Sequence, residues 1–213
     1  AVADGEDVLI GGVMEHVEAA GVHSGDSACV IPPRSLDAET MTRVREVTEE
    51  IADALDTVGL MNVQLAVEPS ADEDGAGDVY VLEANPRSSR TVPFVSKATG
   101  VPIARLAARV MAGESLAALD ATEQIPDAYS VKEVVLPFDR LPDADPRLGP
   151  EMKSTGEVMG THETFGRAYD KAQIAAGAAA PTDGTVVVEI DDDDLRERIG
   201  ERCEIHEPAD TPA

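Results

Sequence analysis

The chain is poor in the residue types that mark disulfide-rich, zinc-binding and membrane proteins. Its 213 residues include two cysteines, Cys29 and Cys203, which lie far apart and outside any CxxC pair. This spacing excludes a disulfide framework and a cysteine-based zinc site. No apolar run approaches the roughly 20 residues of a membrane helix, and the first residues lack a secretory signal. We therefore expect a cytoplasmic protein without a membrane partner. The start at Ala1, without Met, suggests a piece of a longer protein.

Aromatic residues and positive charges are scarce as well. There is no Trp, and with only three Phe and three Tyr the core must be built from Val, Leu, Ile, Ala and Met. The 42 acidic residues outnumber the 17 Lys and Arg, so the formal net charge is -25. Nonspecific nucleic-acid binding needs clustered positive charge, and we expect no nucleic-acid partner.

The acidic residues are spread along the whole chain, and only four lysines accompany them. A uniformly acidic, lysine-poor surface is typical of adaptation to high salt, because dissolved ions screen the self-repulsion of such a surface. We therefore predict a halophilic protein. An ordinary acidic cytosolic protein is the alternative interpretation.

Periodicity and turn residues predict strands interleaved with helices. Predicted strands cover residues 8–16 (broken at Gly11 and Gly12), 27–31, 60–68, 79–85, 131–137 and 186–190. Predicted helices run from Ser35, as the N-cap, to Gly59, from Pro102 to Gly113, and over residues 165–176. The polar segment 69–78 joins two strands and indicates an antiparallel hairpin. The fold class is α+β or mixed α/β.

Oxygen-bearing side chains gather at the end of this predicted hairpin. Side chains alternate along a strand, so Glu83 and Asn85 point to the same face. The hairpin can also bring Gln64 opposite Glu83. These oxygen donors suit Mg²⁺, whose other ligands are waters and substrate phosphates. Arg87 and Arg90 follow at once, and guanidinium groups match phosphate geometry. The combination predicts a phosphoryl-transfer site.

Taken singly, such residues have plainer interpretations, since half-buried strands often end in polar side chains. Lys97 could hold a phosphate or cap the end of a helix. His16 is expected to be structural, and His23 by itself would be a structural or surface residue. Cys29 is expected to be a small core residue. The acidic run 191–194 lacks the spacing of a calcium loop and is expected to be solvated surface.

Five long segments, in order along the chain, resemble the large subunit of carbamoyl phosphate synthase. They are residues 15–29, 60–64, 82–100, 129–138 and 148–160. Two runs within them, Thr91-Val-Pro-Phe-Val-Ser and Lys153-Ser-Thr-Gly-Glu-Val-Met-Gly, resemble the second of the two ATP-grasp halves in that subunit.

The resemblance implies how the chain is divided. Residues 1–113 would form the C-terminal lobe of an ATP-grasp fold, an antiparallel sheet with flanking helices, whose first lobe is missing. Residues 114–177 would be the remainder of the carbamoyl phosphate synthetic domain. Residues 178–213 would be a linker and the truncated start of a regulatory-like domain or tail. As a fragment, the chain is expected to be inactive alone.

The resemblance also implies site residues. The implied Mg²⁺ or Mn²⁺ ligands are Gln64, Glu83 and Asn85, of which Gln64 and Glu83 also line the ATP site. The segment implied to contact the nucleotide is Gly21, Val22, His23 and Ser24. The arginines implied to hold the reacting acyl phosphate are Arg87 and Arg90.

The implied activity is the ATP-dependent phosphorylation of carbamate, itself derived from bicarbonate, to carbamoyl phosphate for arginine and pyrimidine synthesis. The implied partners are the remainder of the large subunit and a glutamine amidotransferase small subunit that supplies ammonia. Two alternatives remain open: another ATP-grasp carboxylate ligase, such as a biotin carboxylase relative, and a non-catalytic assembly module of a split subunit.

Overall fold

A computed structural model describes residues 1–68, 77–141, 143–180, 183–187, 199 and 204–206. The chain divides into two units, Ala1–Gly177 and Ala178–Ala213. The helices of the first unit are α1 (Ala38–Ala54), α2 (Val92–Thr99), α3 (Ile103–Met111), α4 (Leu116–Leu119) and α5 (Phe165–Ala176). Its strands are β1 (Val2–Asp4), β2 (Val8–Leu9), β3 (Glu15–His16), β4 (Cys29–Ile31), β5 (Val58–Leu60), β6 (Asn62–Glu68), β7 (Asp78–Asn85), β8 (Tyr129–Val135) and β9 (Gly156–His162). Over the described ranges, no helix has the length and apolar character needed to cross a membrane.

The strands of the first unit pair antiparallel throughout and form three sheets. Their orders are β2-β1-β5, β3-β4-β8-β9 and the hairpin β6-β7. Antiparallel sheets with helices packed beside them confirm the predicted α+β class.

Helix α5 covers the four-stranded sheet. It spans the predicted residues, and Ala168 and Ala172 on its predicted apolar face are fully buried against Val30 and Val131. Gly177 follows it with a φ of 84°, a left-handed conformation that glycine adopts without strain.

The main core lies between α2, α3 and the sheet β2-β1-β5. The predicted stripe of α3 is confirmed, because Ile103, Leu106, Ala107 and Val110 are all buried. Helix α3 starts at Ile103, one residue after Pro102, which occupies the N-cap position. Helix α2 was not predicted, because its eight residues are too few to show a clear period.

The predicted bounds of α1 are wrong at both ends. Asp37, not Ser35, is the N-cap, and its carboxylate accepts hydrogen bonds from the Thr40 backbone N–H (2.7 Å) and hydroxyl (2.8 Å). The Ser35 hydroxyl instead donates to Glu15 (2.5 Å), a partner 20 residues away. The helix ends at Ala54, and Gly59 lies in β5, opposite Ala3 of β1. Pairing with β1 therefore overrides the helical period at the C-terminal end.

Strands β1 and β9 were not predicted either. β1 pairs with the nearby β2 and the distant β5, and β9 pairs with β8. In the second unit, strands β10 (Thr185–Val187) and β11 (Glu204–His206) pair in parallel. β10 overlaps the predicted strand 186–190 at residues 186–187. Residues 188–190, the acidic run 191–194, Cys203 and most of the polar turn 69–78 lie outside the described residues.

Candidate functional site

The register of the β6–β7 hairpin assembles the predicted oxygen donors. Gln64 lies directly opposite Glu83, as predicted, and Asn62 lies opposite Asn85. Side chains directly opposite each other in an antiparallel pair share one face. The Asn85 side-chain amide donates a hydrogen bond to Glu83 Oε1 at 2.7 Å, which shows that these two side chains are in reach of one another.

The hairpin forms one wall of a cavity of ≈ 610 Å³ in the first unit. The predicted residues that line it are Val22, His23, Ser24, Gln64, Glu83, Asn85, Arg87 and Arg90. Gly21 is outside this lining and is exposed, with a φ of 105°. The fold therefore brings three separate sequence segments into one cleft.

The segment around His23 is held in place by backbone contacts. Its backbone N–H donates to the Gly149 carbonyl at 2.8 Å. Its ring Nδ1 accepts from the Gly25 N–H at 2.9 Å. Lys132 Nζ donates to the Ser24 carbonyl at 3.3 Å.

The two predicted arginines lie in different environments. Arg90 Nη2 donates to Ser154 Oγ at 2.8 Å and to the Gly25 carbonyl at 3.3 Å. Its Nε lies 3.7 Å from Oε1 of Glu157. Arg87 is exposed and donates to the carbonyl of the next residue at 2.9 Å. Arg90 is thus fixed in the cleft wall, whereas Arg87 reaches from its rim.

Sequence reasoning missed several polar residues beside the cleft. Lys132 is fully buried in β8, Asp26 is fully buried, and Ser154 is 6% exposed. Within the part of the chain that the structure describes, Oε1 of Glu157 is buried without a hydrogen-bond partner. The sequence offers one signal for Lys132, which stands inside a run of Val residues. Asp26 and Ser154 lie between the helices and strands, Glu157 lies in β9, and none of the three stands in a sequence pattern that would mark it.

Burial also changes the acidity of two residues beside the cleft. It lowers the pKa of His16, and the positive charge of Lys132 lowers it further. Burial raises the pKa of the Cys29 thiol to about 12. Both residues therefore favour their neutral forms. Cys29 is fully buried in the main core, as predicted. Lys97 is exposed in the last turn of α2, a position that suits a cation at a helix end.

The oxygen donors on the hairpin suit a hard cation that takes its other ligands from a phosphate and from water. Among the described residues, no three His, Cys, Asp or Glu side chains form a group that could hold a metal ion. Gln64, Glu83 and Asn85 supply one carboxylate and two amide groups in reach of the cleft. Oxygen donors with few charges fit Mg²⁺, which keeps waters and substrate phosphates as its remaining ligands.

Solved structures share this fold. The chain matches "Biotin Carboxylase domain of single-chain bacterial carboxylase" with a TM-score of 0.60 and 17% identity, over 84% of this chain and 45% of that one. It matches the crystal structure of the K. lactis urea amidolyase with a TM-score of 0.61 and 15% identity, over 80% of this chain and 12% of that one. These likenesses confirm the fold predicted above, the C-terminal lobe of an ATP-grasp protein.

Curated relatives are much closer in sequence. The chain is 70% identical to a carbamoyl phosphate synthase large chain of Halobacterium salinarum, over 100% of this chain and 19% of the relative. It is 56% identical to the large chains of Methanosarcina barkeri (93% of this chain, 18% of the relative) and of Pseudomonas syringae pv. tomato (91% and 18%). The chain therefore spans about a fifth of the length of these relatives.

The family match covers most of the residues that line the cleft. Residues 1–119 match the sequence model described as "Carbamoyl-phosphate synthase L chain, ATP binding domain", and this range contains the hairpin, the His23 segment and both arginines. The chain belongs to the carbamoyl phosphate synthase large-chain family.

Proposed function

We propose that this chain supplies one lobe of the site at which a carbamoyl phosphate synthase large chain phosphorylates carbamate with ATP. The observation that carries the proposal is the hairpin register. It sets Gln64 opposite Glu83 in the same cleft as Arg87, Arg90 and the His23 segment. The family match supports ATP as the nucleotide, because the matched domain is described as ATP-binding.

The reaction needs charge neutralisation and positioning more than a nucleophilic side chain. A carbamate oxygen attacks the γ-phosphorus of ATP, the bond from that phosphorus to the bridging oxygen breaks, and ADP leaves. Arg87 and Arg90 hold the negatively charged acyl phosphate that forms. The segment Gly21, Val22, His23 and Ser24 contacts the nucleotide.

Gln64, Glu83 and Asn85 would hold Mg²⁺ or Mn²⁺. When bound, the metal neutralises charge on the phosphate oxygens of the nucleotide. Gln64 and Glu83 also border the nucleotide itself, so a substitution at either one is expected to weaken both metal and nucleotide binding.

The proposed reaction needs more than this chain. Residues 1–113 form the second lobe of the ATP-grasp unit, residues 114–177 the rest of the synthetic domain, and residues 178–213 a linker and the start of a further domain. The missing first lobe belongs to the remainder of the large subunit. Ammonia comes from a glutamine-hydrolysing small subunit, and the product enters arginine and pyrimidine synthesis in the cytoplasm. Alone, the chain is inactive.

The test uses the complete large chain and the reverse half-reaction, in which carbamoyl phosphate and ADP give ATP. Glu83→Ala should lower the rate of ATP formation about 100-fold or more, because charge stabilisation in the cleft is lost. Glu68→Ala is the matched control, since Glu68 lies at the far end of the same hairpin and is exposed. It should leave the rate unchanged. Full activity in Glu83→Ala would refute the proposed site.

A second measurement separates the proposed function from the assembly-module alternative. Isothermal calorimetry of Mg²⁺-ATP binding compares the chain alone with the chain plus a supplied first lobe. Binding only with the lobe, lost in Glu83→Ala, supports half of an active cleft. No binding in either case, with folded protein, supports an assembly module. Another ATP-grasp carboxylate ligase is favoured only by fold likeness at 15–17% identity, whereas the large-chain relatives reach 70%.

A further inference from the structure

A buried carboxylate ties the His23 segment to a loop far along the chain. Asp26 is fully buried, and its Oδ2 accepts the Lys153 N–H at 2.6 Å while its Oδ1 accepts the Ser154 N–H at 2.8 Å. These donors lie 127 and 128 residues away in sequence. Burying a carboxylate is unfavourable unless its oxygens are hydrogen-bonded. The two backbone donors therefore provide a specific partner for each oxygen.

The same loop carries a hydroxyl that bonds to Arg90, a residue of the cleft lining. Ser154 Oγ donates to the Gly25 carbonyl at 2.7 Å and accepts from Arg90 Nη2 at 2.8 Å. Arg90 Nη2 also donates to the Gly25 carbonyl at 3.3 Å. Asp26 thus holds the backbone of the residue whose side chain fixes Arg90.

There is little free space at this junction. A Cβ added to Gly25 would lie 2.9 Å from Met152 Sδ, 3.1 Å from Arg90 Nη2 and 3.1 Å from His23 Nδ1. A shift of the 152–154 loop by a fraction of an ångström would therefore be transmitted both to His23 and to Arg90.

The carboxylate is charged at neutral pH. Burial alone would raise the pKa of Asp26, but the hydrogen bonds from Ser154 and Lys153 and the nearby His23 outweigh that effect and lower it. Hydrogen bonds to a charged acceptor are stronger than those between neutral groups.

We propose that Asp26 is a positioning residue for the phosphoryl-transfer cleft: by clamping the backbone of residues 153–154 it sets both the nucleotide-contacting His23 segment and, through Ser154, the guanidinium of Arg90. This inference rests on the proposed function. Asp26 lies in the wall behind the cleft and is assigned no contact with the substrate.

The test measures ATP formation from carbamoyl phosphate and ADP by the complete large chain carrying Asp26→Asn. The amide can accept only through its single oxygen, so one of the two backbone donors loses its partner. We expect the KM for ADP to rise and kcat to fall, each by about tenfold. Bicarbonate-dependent ATP hydrolysis, the reaction of the other half of the subunit, should stay unchanged.

Asp4→Asn is the matched control. Its carboxylate also accepts backbone N–H groups, from Asp7 at 2.7 Å and from the distant Leu116 at 2.6 Å, but it does not line the cleft. A merely structural carboxylate of this kind is expected to change the amount of folded protein and leave the KM for ADP unchanged. A change in the KM for ADP in Asp26→Asn but not in Asp4→Asn therefore distinguishes a positioning role from a loss of stability.

Ser154→Ala provides the second variant. It keeps both backbone bonds to Asp26 and removes only the hydroxyl between Gly25 and Arg90, so kcat should fall while the KM for ADP stays within about twofold. If Asp26→Asn does not fold, an unchanged kcat in Ser154→Ala overturns the inference. If Asp26→Asn folds, unchanged KM and kcat overturn it.

The Glu83→Ala variant keeps this test separate from that of the proposed function. Loss of ATP formation in Glu83→Ala, together with wild-type kinetics in Asp26→Asn, refutes the positioning role alone. Full activity in Glu83→Ala refutes the proposed function and with it the inference.

Discussion

The contact between strand β9 and helix α5 offers a sharp test of the packing, because it depends on the absence of one side chain. Gly160 lies in β9 under α5, and a Cβ added there would be 2.2 Å from the Ala168 carbonyl oxygen and 2.6 Å from the Ala172 backbone nitrogen. Ordinary contacts begin near 3.4 Å. These neighbours are helix backbone atoms, which cannot rotate away as a side chain can.

Gly160→Ala should therefore push α5 off the sheet by about 1 Å. Overpacking typically costs about 1–3 kcal/mol, and a clash with backbone belongs at the upper end, so we expect a loss of about 3 kcal/mol in the free energy of unfolding. For a chain of this size that corresponds to a decrease in Tm of about 6–12 °C.

Gly156→Ala is the matched control in the same strand. Its added Cβ would meet Val135 Cβ at 3.6 Å, which is ordinary contact, and neither glycine has a positive φ that would strain alanine. Its stability should stay within about 1 kcal/mol of the wild type.

The assay is thermal unfolding of the 213-residue chain, followed by far-UV and near-UV circular dichroism. Tyr129 and Tyr169, two of the three tyrosines, pack on Phe165 at the α5 interface, so the near-UV signal reports this contact directly. If Gly160→Ala were as stable as Gly156→Ala, with an unchanged near-UV spectrum, the described packing of α5 on β9 would be wrong.

Three further predictions address the core, the thiol and the surface charge. Leu106→Ala, at a buried position of α3, should cost about 3 kcal/mol, whereas Met111→Ala, at a 68% exposed position of the same helix, should cost less than about 0.5 kcal/mol in denaturant titrations. Cys29, measured in a Cys203→Ser background, should resist a thiol reagent at pH 9 and react only after unfolding. Because burial raises the pKa of this thiol from its ordinary value of 9.0 to about 12, the stability from this group is fully present below pH 9 and is lost as the pH rises toward 12. Finally, the chain carries a net charge of -25, and dissolved salt screens the repulsion between its acidic side chains. Its Tm should therefore rise steadily as the KCl concentration increases from about 0.1 to about 2 M. A constant or falling Tm would contradict the prediction of a halophilic protein.

The sequence predicts those elements whose pattern is local and complete. Helix α5 keeps its predicted bounds, because its apolar positions recur at helical spacing and a glycine ends it. The sequence also predicts the hairpin, because two strands are joined by a polar turn, and Gln64 lies opposite Glu83 as predicted. The irregularity that shifts the register between Gln64 and Leu65 has no signal in the sequence.

Where two residues are equally suited to one structural position, a single sequence does not show which of them occupies it. Ser35 and Asp37 are both good N-caps, and Asp37 takes the role because Glu15 engages Ser35 from 20 residues away. Likewise, Gly59 suits a helix end, but pairing with β1 places it in a strand.

Residue types and near-neighbour spacing were enough to predict the excess of acidic residues, the hairpin with its oxygen donors, and the arginines that follow it. The folded structure was needed to show that Arg90 is held by Ser154, that Asp26 accepts hydrogen bonds from a loop 127 and 128 residues away, and that Lys132 is buried beside Ser24. Hydrogen bonds between residues so far apart leave no period or motif in a single sequence. They form only when the β3-β4-β8-β9 sheet brings the two ends of the unit together.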